Sequence, residues 1–258
     1  MKRNFRFTVA YDGTRYYGWE KQPGQDMTIQ GKLETVLGRM CGTLDPASGE
    51  TVPAAVEVIG AGRTDAGVHA KGMVCNAYLD TPMSAEEIRR YMNRYLPEDI
   101  AVLEAKEAGD RFHSRYKAVG KTYCYTCYTG DSKPVFNRRY CWVLDRVPDV
   151  ARMREAAEYL LGEHDFSSFC ANPRMKKSTV RVVDRIEVTE KGGYLNFTYH
   201  GTGFLQYMVR ILTGTLLEVG FGEREPAGIP ALIEAHDRAQ AGPTAPPQGL
   251  CLLKVDYS

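Results

Sequence analysis

The stretch that decides the fold is residues 60–70, which read GAGRTDAGVHA. Residues 55–59 before it, which are apolar except for Glu57, predict a buried strand, and residues 68–79 after it predict extended chain. The glycines between them predict a tight turn. The sequence therefore predicts a strand, a glycine-rich turn and a second strand that returns.

This context argues against a phosphate-binding loop. A P-loop needs a lysine after its last glycine, but Val68 follows Gly67. A dinucleotide fingerprint needs a third glycine where Asp65 stands, and both motifs open a helix rather than a strand. The turn instead presents a carboxylate.

Two interpretations of Asp65 follow from the turn. Asp in a glycine-rich turn often only caps its own backbone, and turn chemistry alone favours that interpretation. Arg63, two positions earlier, shares a face with Asp65 if the chain is extended, and a nearby guanidinium keeps a carboxylate ionised. An ionised carboxylate can act as a nucleophile or stabilise charge at a sugar.

The composition is that of a globular protein. The chain has 258 residues, 43% hydrophobic and 25% charged, which is ample for one large domain or two small ones and argues against disorder. The net charge of +1 neither favours nor opposes a nucleic-acid partner, so local clustering matters. Three basic clusters stand out: Arg111, Arg115, Lys117 and Lys121; Arg174, Lys176, Lys177, Arg181 and Arg185; Arg89, Arg90 and Arg94. Any one of them alone is typical of a solvated surface.

Cysteine usage predicts a reducing compartment. There are seven cysteines, and the N-terminal residues alternate like a strand instead of forming an apolar leader, so we expect a cytoplasmic protein. No run approaches a membrane span, and we expect no membrane association. Cys124 and Cys127 lie in a predicted strand, where residues three apart face opposite ways, so we expect no metal site.

Outward from the turn, strands alternate with helices. Residues 5–11, 100–105, 111–129, 181–189, 194–200 and 250–257 predict strands; residues 28–40, 84–95, 150–161, 204–219 and 229–239 predict helices. This order predicts an α+β fold of two similar halves with mainly antiparallel sheets. We place the halves at residues 1–108, with the Asp65 loop, and 109–258. We expect their sheets to join into one extended central sheet with a catalytic cleft between the halves.

Residues 62–70, GRTDAGVHA, resemble the signature of the tRNA pseudouridine synthase A family. Further segments resemble the same family in the same order: YDGT at 11–14, YGW at 17–19, TIQ at 28–30, FHSR at 112–115, KTYCY at 121–125, HDFSSF at 164–169, MVR at 208–210 and GL at 249–250. The resemblance covers nearly the whole chain. Glu20, Met73, Ile211 and a longer loop at 42–55 depart from the family pattern, which concerns substrate preference more than the reaction.

The resemblance implies an isomerase that converts uridine to pseudouridine at positions 38–40 of the tRNA anticodon stem-loop. Asp65 is then the catalytic nucleophile, and Tyr123, Arg63 and Arg210 bind the substrate. The resemblance also implies a homodimer, with no cofactor and no metal. Helical periodicity places Arg210 about 200° from Met208, on the face opposite the apolar stripe, together with Thr213.

Two other classes remain open. A catalytically silent RNA-binding protein would share the scaffold, although the intact Asp65 argues against it. A carboxylate-dependent hydrolase would need a second well-placed carboxylate, which the loop lacks.

Overall fold

The computed structural model describes residues 2–258, which form two compact units. The first unit extends to Ala118 and also includes Leu252–Ser258, and the second is Val119–Cys251. The boundary predicted between residues 108 and 109 stays a prediction.

The first unit combines a sheet with two helices. Its elements are β1 (Arg3–Tyr11), α1 (Ile29–Met40), β2 (Thr43–Leu44), β3 (Thr51–Val52), β4 (Ile59–Gly60), β5 (His69–Leu79), α2 (Ala85–Tyr95) and β6 (Ile100–Ala108). β1 pairs antiparallel with both β5 and β6, β4 pairs antiparallel with β5, and β2 pairs with β3 in a separate ribbon. The Asp65 loop therefore connects two strands of one sheet.

Alternation decides which face of β1 is buried. Phe5, Phe7 and Val9 are fully buried, as the period of a half-buried strand requires. Helix α1 begins at Ile29, after the N-cap Thr28, whose hydroxyl accepts from the Gly31 N–H. Helix α2 is preceded by a capping box formed by Ser84 and Glu87.

The second unit has the same two kinds of element. They are β7 (Ala118–Tyr128), β8 (Trp142–Val143), α3 (Val150–Glu158), β9 (Gly162–Asp165), β10 (Val180–Lys191), β11 (Tyr194–Gly201), α4 (Met208–Gly220) and α5 (Ile229–Glu234). The closing strand β12 (Leu250–Tyr257) lies mostly in the first unit, beside β5. The sheet order is β7-β11-β10-β9, all antiparallel, with β8 parallel to β7. The predicted α+β class with mainly antiparallel sheets is confirmed.

Several predicted elements are wrong in extent, each for a local reason. Residues 55–58 form no strand, because side chains of α1 bind the Val58 backbone: Gln30 Nε2 donates to its oxygen and Glu34 Oε1 accepts from its N–H. Helix α4 begins at Met208 rather than residue 204, since Tyr207 is left-handed with φ 61°. Helix α5 ends at Glu234, two residues before His236, which has φ 48°. Strand β7 begins at Ala118 rather than residue 111. Strands β2, β3, β8 and β9 were not predicted.

No helix within residues 2–258 is both long enough and apolar enough to cross a membrane.

Candidate active site

Asp65 opens a tight turn at the end of the glycine-rich loop. The Val68 N–H donates to the Asp65 carbonyl oxygen at 3.1 Å, and Gly67 has φ 77°. A positive φ at the third position of such a turn is favourable only for glycine or asparagine. Asp65 as a whole is half-buried in the first unit.

The N-terminal segment fixes this loop on both sides of Asp65. The Trp19 N–H donates to the Thr64 carbonyl at 3.0 Å, and the Gly67 N–H donates to the Tyr16 carbonyl at 3.2 Å. The Tyr11 hydroxyl is 2.8 Å from the buried Thr64 hydroxyl. Because the Thr64 carbonyl before Asp65 and the Gly67 N–H after it are both hydrogen-bonded, the backbone at Asp65 has little freedom.

Two glycines allow this close approach. Gly18 has φ 94°, and a Cβ on it would lie 2.6 Å from the Thr64 carbonyl oxygen. A Cβ on Gly60 would lie 2.6 Å from the indole of the buried Trp19. Any side chain at either position would push the loop away from its support.

Tyr16 is a further anchor of this segment. Its hydroxyl donates to Asp99 Oδ1 at 2.6 Å, and Arg15 Nε donates to Asp99 Oδ2 at 2.8 Å. Burial and the hydrogen bond to Asp99 raise the pKa of Tyr16 well above its ordinary value, so the phenol stays a neutral donor. These contacts hold Tyr16 in place, and the Tyr16 carbonyl accepts the hydrogen bond from the Gly67 N–H.

Arg63 forms an ion pair with Glu20, and both side chains are largely exposed. The prediction that Arg63 keeps Asp65 ionised stays a prediction. What the structure adds is that one of the residues departing from the family pattern is the partner of Arg63.

A larger and a smaller cavity lie in the first unit. The larger, about 590 Å³, follows α1 and residues 53–57, and Asp65 does not line it. The smaller, about 210 Å³, is lined by Gly60, Gly62 and Arg63, and therefore borders the Asp65 loop. The smaller cavity is the better candidate for a substrate site, because it borders the loop that carries Asp65.

Tyr123 and Arg210 lie in the second unit. Tyr123, on β7, is 8% exposed, and its ring meets Phe204 edge-on with centroids 5.2 Å apart. Tyr125, on the same strand face, is fully buried and donates to the Pro246 carbonyl at 2.7 Å. Tyr125 therefore packs in the core of this unit, while the substrate contact of Tyr123 stays a prediction.

Arg210 is half-buried near the start of α4. Its Nε donates to the Ala245 carbonyl at 2.7 Å, and its guanidinium lies 4.6 Å from the centre of the Tyr207 ring. Thr213, on the same face of the helix, is fully buried, and its hydroxyl lies 2.9 Å from the Tyr199 hydroxyl.

The segment after α5 covers that face of α4. A Cβ on Gly214 would lie 1.9 Å from the Pro243 carbonyl oxygen, and the Gly242 N–H donates to Thr215 Oγ1 at 3.0 Å. Helical periodicity cannot show that a distant segment lies over the polar stripe. The meeting of all four predicted site residues in one cleft stays a prediction.

The supporting roles of Tyr11, Tyr16 and Trp19 were not predicted from the sequence, although these residues lie in or beside the YDGT and YGW motifs. The available signal was Gly18 between two aromatic residues, which is typical of backbone that approaches another segment closely. Metal ligation finds no support within residues 2–258, which contain no group of three His, Cys, Asp or Glu side chains placed to hold an ion.

Known proteins resemble this chain over its full length. The family model described as tRNA pseudouridine synthase matches residues 8–117 and 156–258. A protein named tRNA pseudouridine synthase A from Clostridium kluyveri is 41% identical over 99% of this chain and 100% of its own. One of that name from Bacillus sp. strain KSM-64 is 41% identical over 98% and 99%. The chain belongs to the tRNA pseudouridine synthase family, a family of isomerases, and the resemblance seen in the sequence is confirmed.

Among solved structures, the crystal structure of a Cbf5-Nop10-Gar1 complex is similar at 15% identity with a TM-score of 0.33, covering 83% of this chain and 45% of that one. This likeness is too low to support a conclusion.

Proposed function

We propose that this protein isomerises uridine to pseudouridine at positions 38–40 of the tRNA anticodon stem-loop, with Asp65 as nucleophile. The observation that carries the proposal is the Asp65 turn, pinned by the Trp19 and Gly67 N–H groups inside the family signature. A carboxylate held in place before substrate arrives needs little reorganisation to react.

The reaction balances within the substrate. The bond from C1′ to N1 breaks, the uracil turns, C5 bonds to C1′, and the proton lost from C5 is replaced by one gained at N1. Asp65 can begin this by attacking C1′, by attacking C6, or by removing the C2′ proton. All three routes share one requirement, which is an ionised carboxylate at Asp65.

The other predicted site residues take binding roles in this proposal. Tyr123 stacks on the target base, an interaction of roughly 1–3 kcal/mol per base. Arg63 and Arg210 bind the carboxylate or RNA phosphates. The uridine must leave its stack, at a cost of a few kcal/mol that is smaller in a loop than in a duplex.

Localisation and assembly belong to the same proposal. We place the protein in the cytoplasm, where its tRNA substrate is made, and expect a homodimer with tRNA lying across both subunits. Light scattering of the purified protein, alone and with tRNA, tests the dimer. A mass of one chain at micromolar concentration would refute it.

The decisive experiment is pseudouridine formation in a uridine-containing tRNA transcript. Wild type is expected to form pseudouridine, mapped by carbodiimide-dependent stops in reverse transcription. Asp65→Ala and Asp65→Asn are expected to form none while still binding tRNA. Asp26→Ala, which changes an exposed carboxylate of the same unit, serves as the matched control and should keep full activity.

The outcomes separate the classes of function. Wild type that binds tRNA without forming product would favour a silent RNA-binding protein. Full activity in Asp65→Ala would remove the role of Asp65. Pseudouridine at positions other than 38–40 would support the isomerase activity and refute the proposed target positions.

A further inference from the structure

The turn at residues 112–116 displays an aromatic and basic surface beside the Asp65 loop. Tyr116 is 78% exposed, and its ring centroid lies 4.2 Å from that of His113 at an interplanar angle of 31°. Together with Arg115, these residues line the cavity of about 210 Å³ that Gly62 and Arg63 also line. An exposed tyrosine face backed by a second ring is a stacking platform for a base.

The platform is held rigidly from below. Ser114 is fully buried between the exposed residues, and its N–H and hydroxyl both donate to Asn76 Oδ1, at 2.9 and 2.7 Å. The Tyr257 hydroxyl donates to the Ser114 carbonyl at 2.8 Å, and Asn76 Nδ2 donates to Asn4 Oδ1 at 3.0 Å. A turn anchored through a buried polar network is preorganised for binding.

The two arginines that line the cavity differ in their pairing. Arg63 is paired with Glu20, whereas the exposed guanidinium of Arg115 has no ion-pair or hydrogen-bond partner within residues 2–258. Glu57 also lines the cavity and is exposed. Arg115 can therefore bind a phosphate without giving up a partner, whereas a phosphate at Arg63 would have to replace the Glu20 carboxylate.

The size and the floor of the cavity limit its ligand. Its volume of about 210 Å³ lies below the roughly 300–1,000 Å³ of pockets for drug-sized ligands. The floor is the Trp19 indole lying on Gly60, where a Cβ would be 2.6 Å away. The space suits a single base or phosphoryl group attached to a longer chain that continues outside.

We propose that residues 112–116 form a subsite for one nucleotide next to the target uridine, with its base stacked on Tyr116 and its phosphate on Arg115. This rests on the proposed function, because the subsite borders the loop that carries Asp65. Glu20 acts as the resident anion of Arg63 and weakens RNA binding at that edge of the subsite.

Tyr116 is tested by measuring tRNA affinity and the steady-state constants of pseudouridine formation. Tyr116→Ala is expected to raise Kd and KM about 5- to 150-fold with a smaller change in kcat, since the stacking of one base is removed. Tyr116→Phe should behave as wild type. Tyr95→Ala, which removes another exposed tyrosine of the same unit, is the matched control and should change neither constant.

The charges are tested by the dependence of Kd on salt. Arg115→Ala is expected to lower the slope of log K against log salt by about one, as when a single phosphate interaction is removed, and the exposed Arg39→Ala should not change it. Glu20→Gln releases Arg63 and is expected to tighten tRNA binding and steepen the slope.

Failure of the subsite and failure of the function look different. Wild-type activity with unchanged Kd, KM and salt slope in Tyr116→Ala and Arg115→Ala would overturn the subsite and leave the isomerase intact. Absence of pseudouridine with wild type would overturn the proposed function. The subsite would then be tested only by the effect of the variants on tRNA affinity. Weaker binding in Glu20→Gln would overturn the role of Glu20.

Discussion

Gly18→Ala tests whether the Asp65 loop is held in a catalytic position by backbone contact. The added Cβ would lie 2.6 Å from the Thr64 carbonyl oxygen and 3.2 Å from the Asp65 carbonyl carbon. A carbon and an oxygen rest at roughly 3.3 Å or more. The loop must therefore move away by about 0.7 Å, the difference between that separation and the 2.6 Å approach.

This displacement acts directly on the catalytic backbone. A misplacement of about 1 Å can cost on the order of 10²-fold in rate, so we expect kcat to fall about 10- to 100-fold. The left-handed conformation of Gly18, φ 94°, adds a backbone penalty that lowers the free energy of unfolding by about 1–3 kcal/mol.

Gly24→Ala separates these two effects. Gly24 has φ 71° and no atom within 4 Å of its Cβ position, so alanine there carries the backbone penalty without a clash. Both variants would be compared by urea unfolding, followed by tryptophan fluorescence, and by single-turnover pseudouridine formation. We expect Gly24→Ala to lose stability but keep its rate. A wild-type rate in Gly18→Ala would refute the argument that this contact positions Asp65.

Two further predictions concern the second unit. Thr213→Val removes the partner of the buried Tyr199 hydroxyl and should lower the free energy of unfolding by about 1–3 kcal/mol, measured by urea denaturation. Reversing the charge of the exposed Arg174, Lys176 and Lys177 to glutamate should weaken tRNA binding and flatten its salt dependence by about one unit of slope for each phosphate interaction that is removed.

Each of these two predictions has a control variant at another position of the protein. Thr35→Val removes an exposed helical hydroxyl that donates to the Gly31 carbonyl one turn earlier, and should change stability by less than about 0.5 kcal/mol. Equal effects at both threonines would show that the bond to Tyr199 is unimportant. Lys191→Glu changes one exposed cation on the hairpin of β10 and β11 and should leave tRNA affinity unchanged. Unchanged affinity after the triple reversal would remove residues 174–177 from the RNA surface.

Local sequence determined the elements whose causes are local. The alternation of β1, the hairpin of β10 and β11, the Thr28 cap and the Ser84 capping box all follow from interactions within a few residues. The signature around Asp65 also identified the family. These succeed because strand period, helix capping and turn glycines act over short distances along the chain.

The tertiary structure decided what depends on distant partners. Residues 55–58 looked like a strand, but side chains of α1 bind the Val58 backbone. Thr213 lies opposite the apolar stripe of its helix, but it is buried because residues 242–245 cover that face. Arg63 is paired with Glu20, which lies far from it along the chain. The sequence alone located the carboxylate; only the folded chain shows that Tyr16 and Trp19 hold it, because hydrogen bonds between distant segments leave no periodic pattern in sequence.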